Sequence, residues 1–193
     1  MPDADIYFSV DVESDGPIPG QYSMLAVGLA VAGTFDGQEF RTPDRHPPTF
    51  YRELRPISEC FEPEAVAVTG IDREELLVVG TPAEQAMAHA KEWVEELAGA
   101  RNPVLVGFPL VFDWMFLYWY FVRFAKRSPF SYSSGLDMKS IYQAKAKVPL
   151  SRAGKDDLPP FLQSARPHTH NALDDALEQA EIFAKLFQWG GTT

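Results

Sequence analysis

Cysteine is nearly absent from the 193 residues: Cys60 stands alone, so no intramolecular disulfide can form and the core must hold the fold. Basic residues are outnumbered, with 17 Lys and Arg against 27 Asp and Glu and a formal charge of −10. That balance excludes a histone-like or repressor-like protein, whose broad Lys/Arg surfaces displace counterions from duplex phosphates. It leaves room for an enzyme that holds an anionic substrate at one point, if bound cations neutralise clustered carboxylates. Residues 1–5 offer neither a basic nor an apolar leader region, so the simplest expected address is a reducing cytoplasm. Long apolar runs are also missing. The nearest approach, residues 104–122, is interrupted by Gly107, Pro109 and Asp113, which predicts a buried strand followed by a buried helix and no membrane span.

What is present is apolar bulk: 46% of residues are hydrophobic, enough for one sizeable core. The default is a single domain over 1–193, because no repeat, low-complexity tract or linker divides the chain. Residues 6–12 alternate, with Phe8, Val10 and Val12 on one face and Tyr7, Ser9, Asp11 and Glu13 on the other, the period of a strand. Residues 22–32 predict a second strand ending at Gly33, 34–40 an antiparallel return, and 49–55 another short strand, together a meander. Helices are expected over 63–68, stopped by Gly70, and over 81–97, with Thr81 as cap and Pro82 at the first helical position. Beyond these come a strand at 103–107, helices at 110–124 and 137–147, a polar loop at 151–160, and a final helix at 171–188. Strands in a meander followed by alternating helices and strands imply an α/β layered fold with a mixed central sheet flanked by helices.

Three segments carry candidate chemistry. Asp11 and Glu13, two apart on a strand, project from one face, where they either repel each other or share a cation; taken alone, an Asp-X-Glu also describes a solvated strand end. Asp113 is the only charged residue between 103 and 122, among Phe112, Trp114, Met115, Phe116 and Leu117. Burying it unpaired would cost several kcal/mol, so it faces a partner, either an Arg or helix N-terminus or a metal shared with the first strand. In the final helix Asp174, Glu178, Glu181 and Lys185 form a solvent-facing stripe, whereas Asp175 lies 100° further round with Ile182 and Leu186 and points inward. His170 immediately precedes that helix and can reach over the same spot. His46, His89 and His168 are expected to be structural or exposed. Carboxylate oxygens suit Mg²⁺ or Mn²⁺, and two such ions form a clamp for phosphodiester hydrolysis, with a neutral histidine taking the water's proton. Paired carboxylates also serve glycosidases, a reading that leaves four acids and His170 unexplained.

Asp11-Val-Glu13, Phe112-Asp113-X-X-Phe116-Leu117 and His170-Asn-Ala-Leu-Asp-Asp175-Ala resemble, in order and spacing, the three motifs of the DnaQ-like (DEDDh) exonucleases of the RNase H-like fold. Phe61-Glu-Pro-Glu-Ala with Thr69-Gly70-Ile71 resembles the segment between meander and first long helix, so the likeness spans roughly residues 5–187. The resemblance implies a 3′→5′ exonuclease acting on single-stranded DNA or RNA ends. It implies Asp11, Glu13, Asp113 and Asp175 as ligands of two metal ions and His170 as general base. Ser14, the Gly16 backbone and Phe112 are implied nucleotide contacts, and a homodimer is one assembly known among relatives. A catalytically idle nucleic-acid-binding or scaffold domain of the same fold is the alternative. Two departures stand out: Phe108-Pro109 replaces the usual His-Asn before the second motif, and Ser14-Asp15-Gly16 replaces a Thr-Thr-Gly-like run after the first.

Overall fold

The computed structural model describes residues 3–44, 46–167 and 169–192. Its centre is a six-stranded mixed sheet in the order β3 (Phe40–Arg41), β2 (Met24–Phe35), β1 (Asp5–Ser14), β5 (Asn102–Gly107) and β6 (Gly135–Asp137), with β4 (Thr49–Glu53) also paired to β2. Strand β1 (Asp5–Ser14) runs antiparallel to β2 (Met24–Phe35) and parallel to β5 (Asn102–Gly107), which in turn pairs in parallel with β6 (Gly135–Asp137). The alternation in β1 sends its two faces into different cores. Ile6, Phe8, Val10 and Val12 pack with helices α3 (Ala83–Ala98) and α4 (Leu110–Ala125). Tyr7 packs on the other side with α5 (Met138–Ala146) and α6 (Ala172–Gln188). Helix, sheet and helix therefore make three layers, the architecture expected.

The first third of the chain departs from a simple meander. Strand β2 runs through Gly33 to Phe35 because a bulge between Tyr7 and Phe8 shifts the register, and a Cβ at Gly33 would stand 2.3 Å from Phe40. The return is only the two residues of β3 (Phe40–Arg41), reached by a turn in which Asp36 Oδ1 accepts the N–H groups of Gln38 and Glu39. Strand β4 (Thr49–Glu53) pairs with residues 26–30 of β2, so β3 and β4 share one edge of β2.

Helix α1 (Pro63–Thr69) ends at Gly70 in the left-handed region (φ 66°), as expected. Helix α2 (Arg73–Val79) was not foreseen; the Asp72 side chain caps it by accepting from the N–H groups of Glu74 and Glu75. Thr81 does not cap α3: its backbone bridges to Leu54, its N–H donating to Glu53 O and its carbonyl accepting from Arg55 N–H, and the helix starts after Pro82. The expected polar loop at 151–160 holds two 3₁₀ turns, Leu150–Arg152 and Lys155–Asp157, and buries Ala153 and Leu158. No helix among the described residues is long and apolar enough to cross a membrane.

Candidate active site

The site forms because β1 is longer than its neighbour. Pairing between β1 and β5 stops at Ser9 and Val106, while β1 continues to Ser14, so residues 11–13 face an edge that β5 has vacated. After Gly107 the chain turns into α4, and the first turn of that helix fills the gap. There Asp113 Oδ1 accepts the Val12 N–H at 3.0 Å, replacing the missing ladder bond. Crevices beyond the carboxyl ends of parallel strands are where α/β folds place their sites.

Helix α6 closes the crevice from the opposite layer. Asn171 caps it by accepting the N–H groups of Leu173 and Asp174. Asp175 is 1% exposed, with Oδ1 accepting Thr169 N–H at 3.0 Å and Oδ2 accepting His170 N–H at 3.1 Å. Those bonds fold the preceding loop over the acid and place His170 in the left-handed region, φ 56°. Asp174, one residue earlier, is exposed, as its helix face predicts.

Asp11, Glu13 and Asp175 each offer a ligand oxygen, and these atoms lie within 4.8 Å of one another. Asp113 stands outside that tight group but lines the same cleft, about 310 Å³, together with Val12, Phe108, Pro109, Phe112 and His170. Burial, and then repulsion from Asp113, Glu13 and Asp175, pushes the Asp11 carboxyl well above its usual range, while Lys155 pulls the other way. Burial and then Asp175 raise Glu13 to about 7. Burial raises Asp113 to about 8 despite the Val12 hydrogen bond. Such a set disfavours its own ionised form, and a hard cation that accepts carboxylate oxygens relieves it. A larger, mainly apolar hollow of about 400 Å³ between β2 and α6, lined by Val31, Leu177 and Ala184, gathers no comparable acid set.

No protein-family model matches the chain. The chain is 37% identical over 182 residues to the 3′–5′ DNA exonuclease Cap18 of Escherichia coli, an alignment covering 94% of this chain and 91% of that protein. The chain belongs to the same 3′→5′ exonuclease family as that protein. Solved structures agree at the level of fold, and the three layers are those of an RNase H-like exonuclease. The nuclease domain of 3′hExo, described as a DEDDh family member bound to rAMP, superposes with a TM-score of 0.66 at 14% identity, covering 96% of this chain and 92% of that one. Cell-death related nuclease 4 (CRN-4) gives 0.67 at 13% identity, covering 98% and 65%. Escherichia coli exonuclease I in complex with a dA16 oligonucleotide gives 0.63 at 19%, covering 94% and 40%. The protein is thus a hydrolytic 3′→5′ exonuclease.

Around the acids of this exonuclease, the other expected residues fall into two groups. Phe112 is 37% exposed on the cleft, and Val111 beside it is more open still, so the start of α4 is less deeply buried than its composition predicts. Ser14 and Gly16 are buried and do not line the cleft; the Ser14 hydroxyl donates to Gly16 O at 2.9 Å, and a Cβ at Gly16 would run into the Tyr22 ring. His46 and His89 are exposed, and His168 lies outside the described residues. Glu178, expected in solvent, is only 7% exposed, because the loop over 150–164 covers it and brings Lys155 Nζ to 2.8 Å from Oε2. Two neighbours of the acids were not singled out in the sequence: Lys155, and Gln179, whose Nε2 donates to Asp11 Oδ1 at 2.9 Å. A polar residue four positions after Asp175, on the same inward helix face, is the signal that would have found Gln179.

Proposed function

We propose that this exonuclease releases mononucleotides one at a time from the 3′ end of single-stranded DNA. In this reading Asp11, Glu13, Asp113 and Asp175 hold two Mg²⁺ or Mn²⁺ ions. The observation that carries it is the convergence of four acids from β1, α4 and α6 on one cleft, three of them with ligand oxygens within 4.8 Å of one another and two raised to about 7 and 8. DNA as substrate is supported by the relation to Cap18. Bound there, divalent cations supply charge neutralisation for the phosphate and a lowered pKa for the attacking water.

The chain's own residues do the rest. His170, over the cleft mouth, accepts the proton of the attacking water on its imidazole, a step worth roughly 10² to 10⁴ in rate. Phe112 offers an exposed ring on which the terminal base stacks. Ser14 and Gly16 act through the shape of the turn after Glu13, since the Ser14 hydroxyl is engaged with Gly16 O. Two broader hollows flank the acid cleft, one of about 470 Å³ that shares Asp11 and Phe108 with it and one of about 440 Å³ that shares Glu13 and His170, room beside the acids for a strand and for a released nucleotide. A net charge of −10 gives little attraction to offset unpairing a duplex end, which favours single strands. The exposed Cys60 thiol fits a reducing cytoplasm.

The test uses a 5′-labelled single strand of DNA, its RNA counterpart, a 3′-phosphorylated strand and a blunt duplex, each with Mn²⁺ or with excess chelator and sampled over time on a sequencing gel. The expected result is a ladder shortening from the 3′ end of single-stranded DNA, slowed by the blocked terminus and the duplex and abolished by chelator. Immediate release of labelled mononucleotide, cutting of a circular strand, or full activity in chelator would refute the reading.

A further inference from the structure

Gln179 lies one helical turn beyond Asp175 on α6 and is 2% exposed. Its carboxamide spans two other segments: Oε1 accepts the Phe108 N–H at 2.7 Å, and Nε2 donates to Asp11 Oδ1 at 2.9 Å. The backbone N–H of Phe108 can only donate, so it dictates which end of the amide is oxygen. The NH₂ end is thereby committed to the carboxylate. One side chain therefore links the helix that supplies Asp175, the strand that supplies Asp11, and the Phe108-Pro109 wall that replaces the His-Asn usual in the family.

We propose that Gln179 is a positioning residue of the acid site, holding Asp11 Oδ1 in the direction that cation binding needs and tying it to the Phe108 wall of the cleft. The inference rests on the metal-dependent reading above. An acid crowded by like charges turns away from its neighbours unless something restrains it, and a single donor on one oxygen fixes the carboxylate plane while leaving the other oxygen available to the cleft. Partners of this kind, which orient a ligand without touching the ion, typically change metal affinity or activity about 10-fold to 100-fold when removed.

Two variants separate positioning from plain structural support. Gln179→Met keeps length and removes both hydrogen bonds; Gln179→Glu keeps an acceptor for Phe108 N–H and offers Asp11 a donor only while it is protonated, so it is compared with wild type from pH 7 to pH 9. Mn²⁺ binding is read by calorimetry on chelator-stripped protein without substrate, stability by thermal melting in chelator, and kcat and KM on a single-stranded oligonucleotide at saturating Mn²⁺. The expectation for Gln179→Met is Mn²⁺ binding about 10-fold to 100-fold weaker on a chain that still melts cooperatively. For Gln179→Glu it is a kcat that falls at least about tenfold relative to wild type as the introduced carboxyl ionises towards pH 9, with KM little changed. If Gln179 only satisfies Phe108 N–H, Gln179→Glu behaves as wild type in kcat, and that result overturns the inference even where Gln179→Met fails to fold. Unchanged Mn²⁺ affinity in a folded Gln179→Met overturns it as well. A wild-type protein that binds no Mn²⁺ would instead sink the metal-dependent reading on which the inference stands.

Discussion

Asp15, one residue past the end of β1, and the pair Asp11 and Glu13 inside that strand are close neighbours, yet the protein treats them in opposite ways. Asp15 is fully buried and fully compensated: Arg73 Nε meets Oδ2 at 2.8 Å, Ser23 N–H donates to Oδ1, and the guanidinium also donates to Ser58 O and lies 4.8 Å from the Phe61 ring centroid. Four and two residues before it, Asp11 and Glu13 are crowded together with Asp113 and Asp175, amide donors and one lysine, Lys155, already engaged with Glu178. Their described partners include no arginine. A buried acid matched one to one by an arginine is part of the architecture, and a crowd of acids that repel one another is a place where a cation from outside lowers the energy.

The largest expected effect comes from the crowded set. Asp11→Asn, Asp113→Asn or Asp175→Asn each lowers exonuclease activity by more than about 10²-fold. Thermal melting in chelator stays at or above the wild-type value for Asp11→Asn and Asp113→Asn, which remove repulsion along with a ligand, and falls for Asp175→Asn, whose amide NH₂ meets the N–H of Thr169 or His170. Loss of folding in all three would break the contrast with Asp15. On the compensated side, Arg73→Met leaves Asp15 buried without its partner and should cost about 3–5 kcal/mol in urea unfolding. Adding Asp15→Asn should recover part of that loss, and a double variant no better than the single one would mean that the pair does not act as a unit.

A smaller effect follows from pH. Glu13 and Asp113 have carboxyls raised from ordinary values of 4.5 and 3.8 to about 7 and about 8, so the folded protein binds these protons more tightly than the unfolded chain does. Each therefore contributes stability that is complete below about pH 4 and is withdrawn as pH climbs through 7 and 8. Chelator-treated protein should lose unfolding free energy across that window, and saturating Mn²⁺ should flatten the slope. A metal-free protein whose stability is flat or rising from pH 5 to pH 8 would show that the acids do not strain the fold. The smallest effect belongs to Asp174→Asn, next to Asp175 but exposed: activity should stay within about twofold, and stability within about 0.5 kcal/mol as for other surface substitutions. If it damages activity more than Asp175→Asn, the facing of α6 is misassigned.

These outcomes depend on how much of the molecule its sequence already carried. The period-two pattern of β1 and the position of Asp175 against Asp174 were readable because each follows from local geometry and from which residues must be buried. Asp113 was readable because a charge inside an apolar run demands a partner, whereas Asp11 and Glu13 gained meaning only beside the other two motifs. What escaped was settled by distant segments. The bulge that carries β2 through Gly33 depends on Tyr7 and Phe40, and the burial of Glu178 depends on a loop some twenty residues earlier in the chain. Strand β6 is three residues long and has no period to detect, whereas α2 did carry a signal in Asp72 followed by Glu74 and Glu75, the pattern of a capped helix start. Gln179 reads as one more polar helix residue until the Phe108 N–H is seen to orient it.

Helix α6 is held at both ends. Near its start, the backbone of Gly28 on β2 approaches so closely that a Cβ there would sit 2.1 Å from Ala172 O. At its finish, Lys145 Nζ donates to the carbonyls of Leu186, Phe187 and Trp189 at 2.8, 3.1 and 2.7 Å. A rod clamped this way cannot slide: an axial shift of even one residue, about 1.5 Å, would break the lysine's grip at one end or drive the helix into the sheet at the other. Asp175 is in consequence a fixed jaw. The wall across from it, the Phe108 to Phe112 turn at the head of α4, is itself tied to α6 through Phe108 N–H and Gln179, so room for nucleotides of different size must come from side chains there, and the exposed ring of Phe112 is where variants with altered base tolerance should be sought.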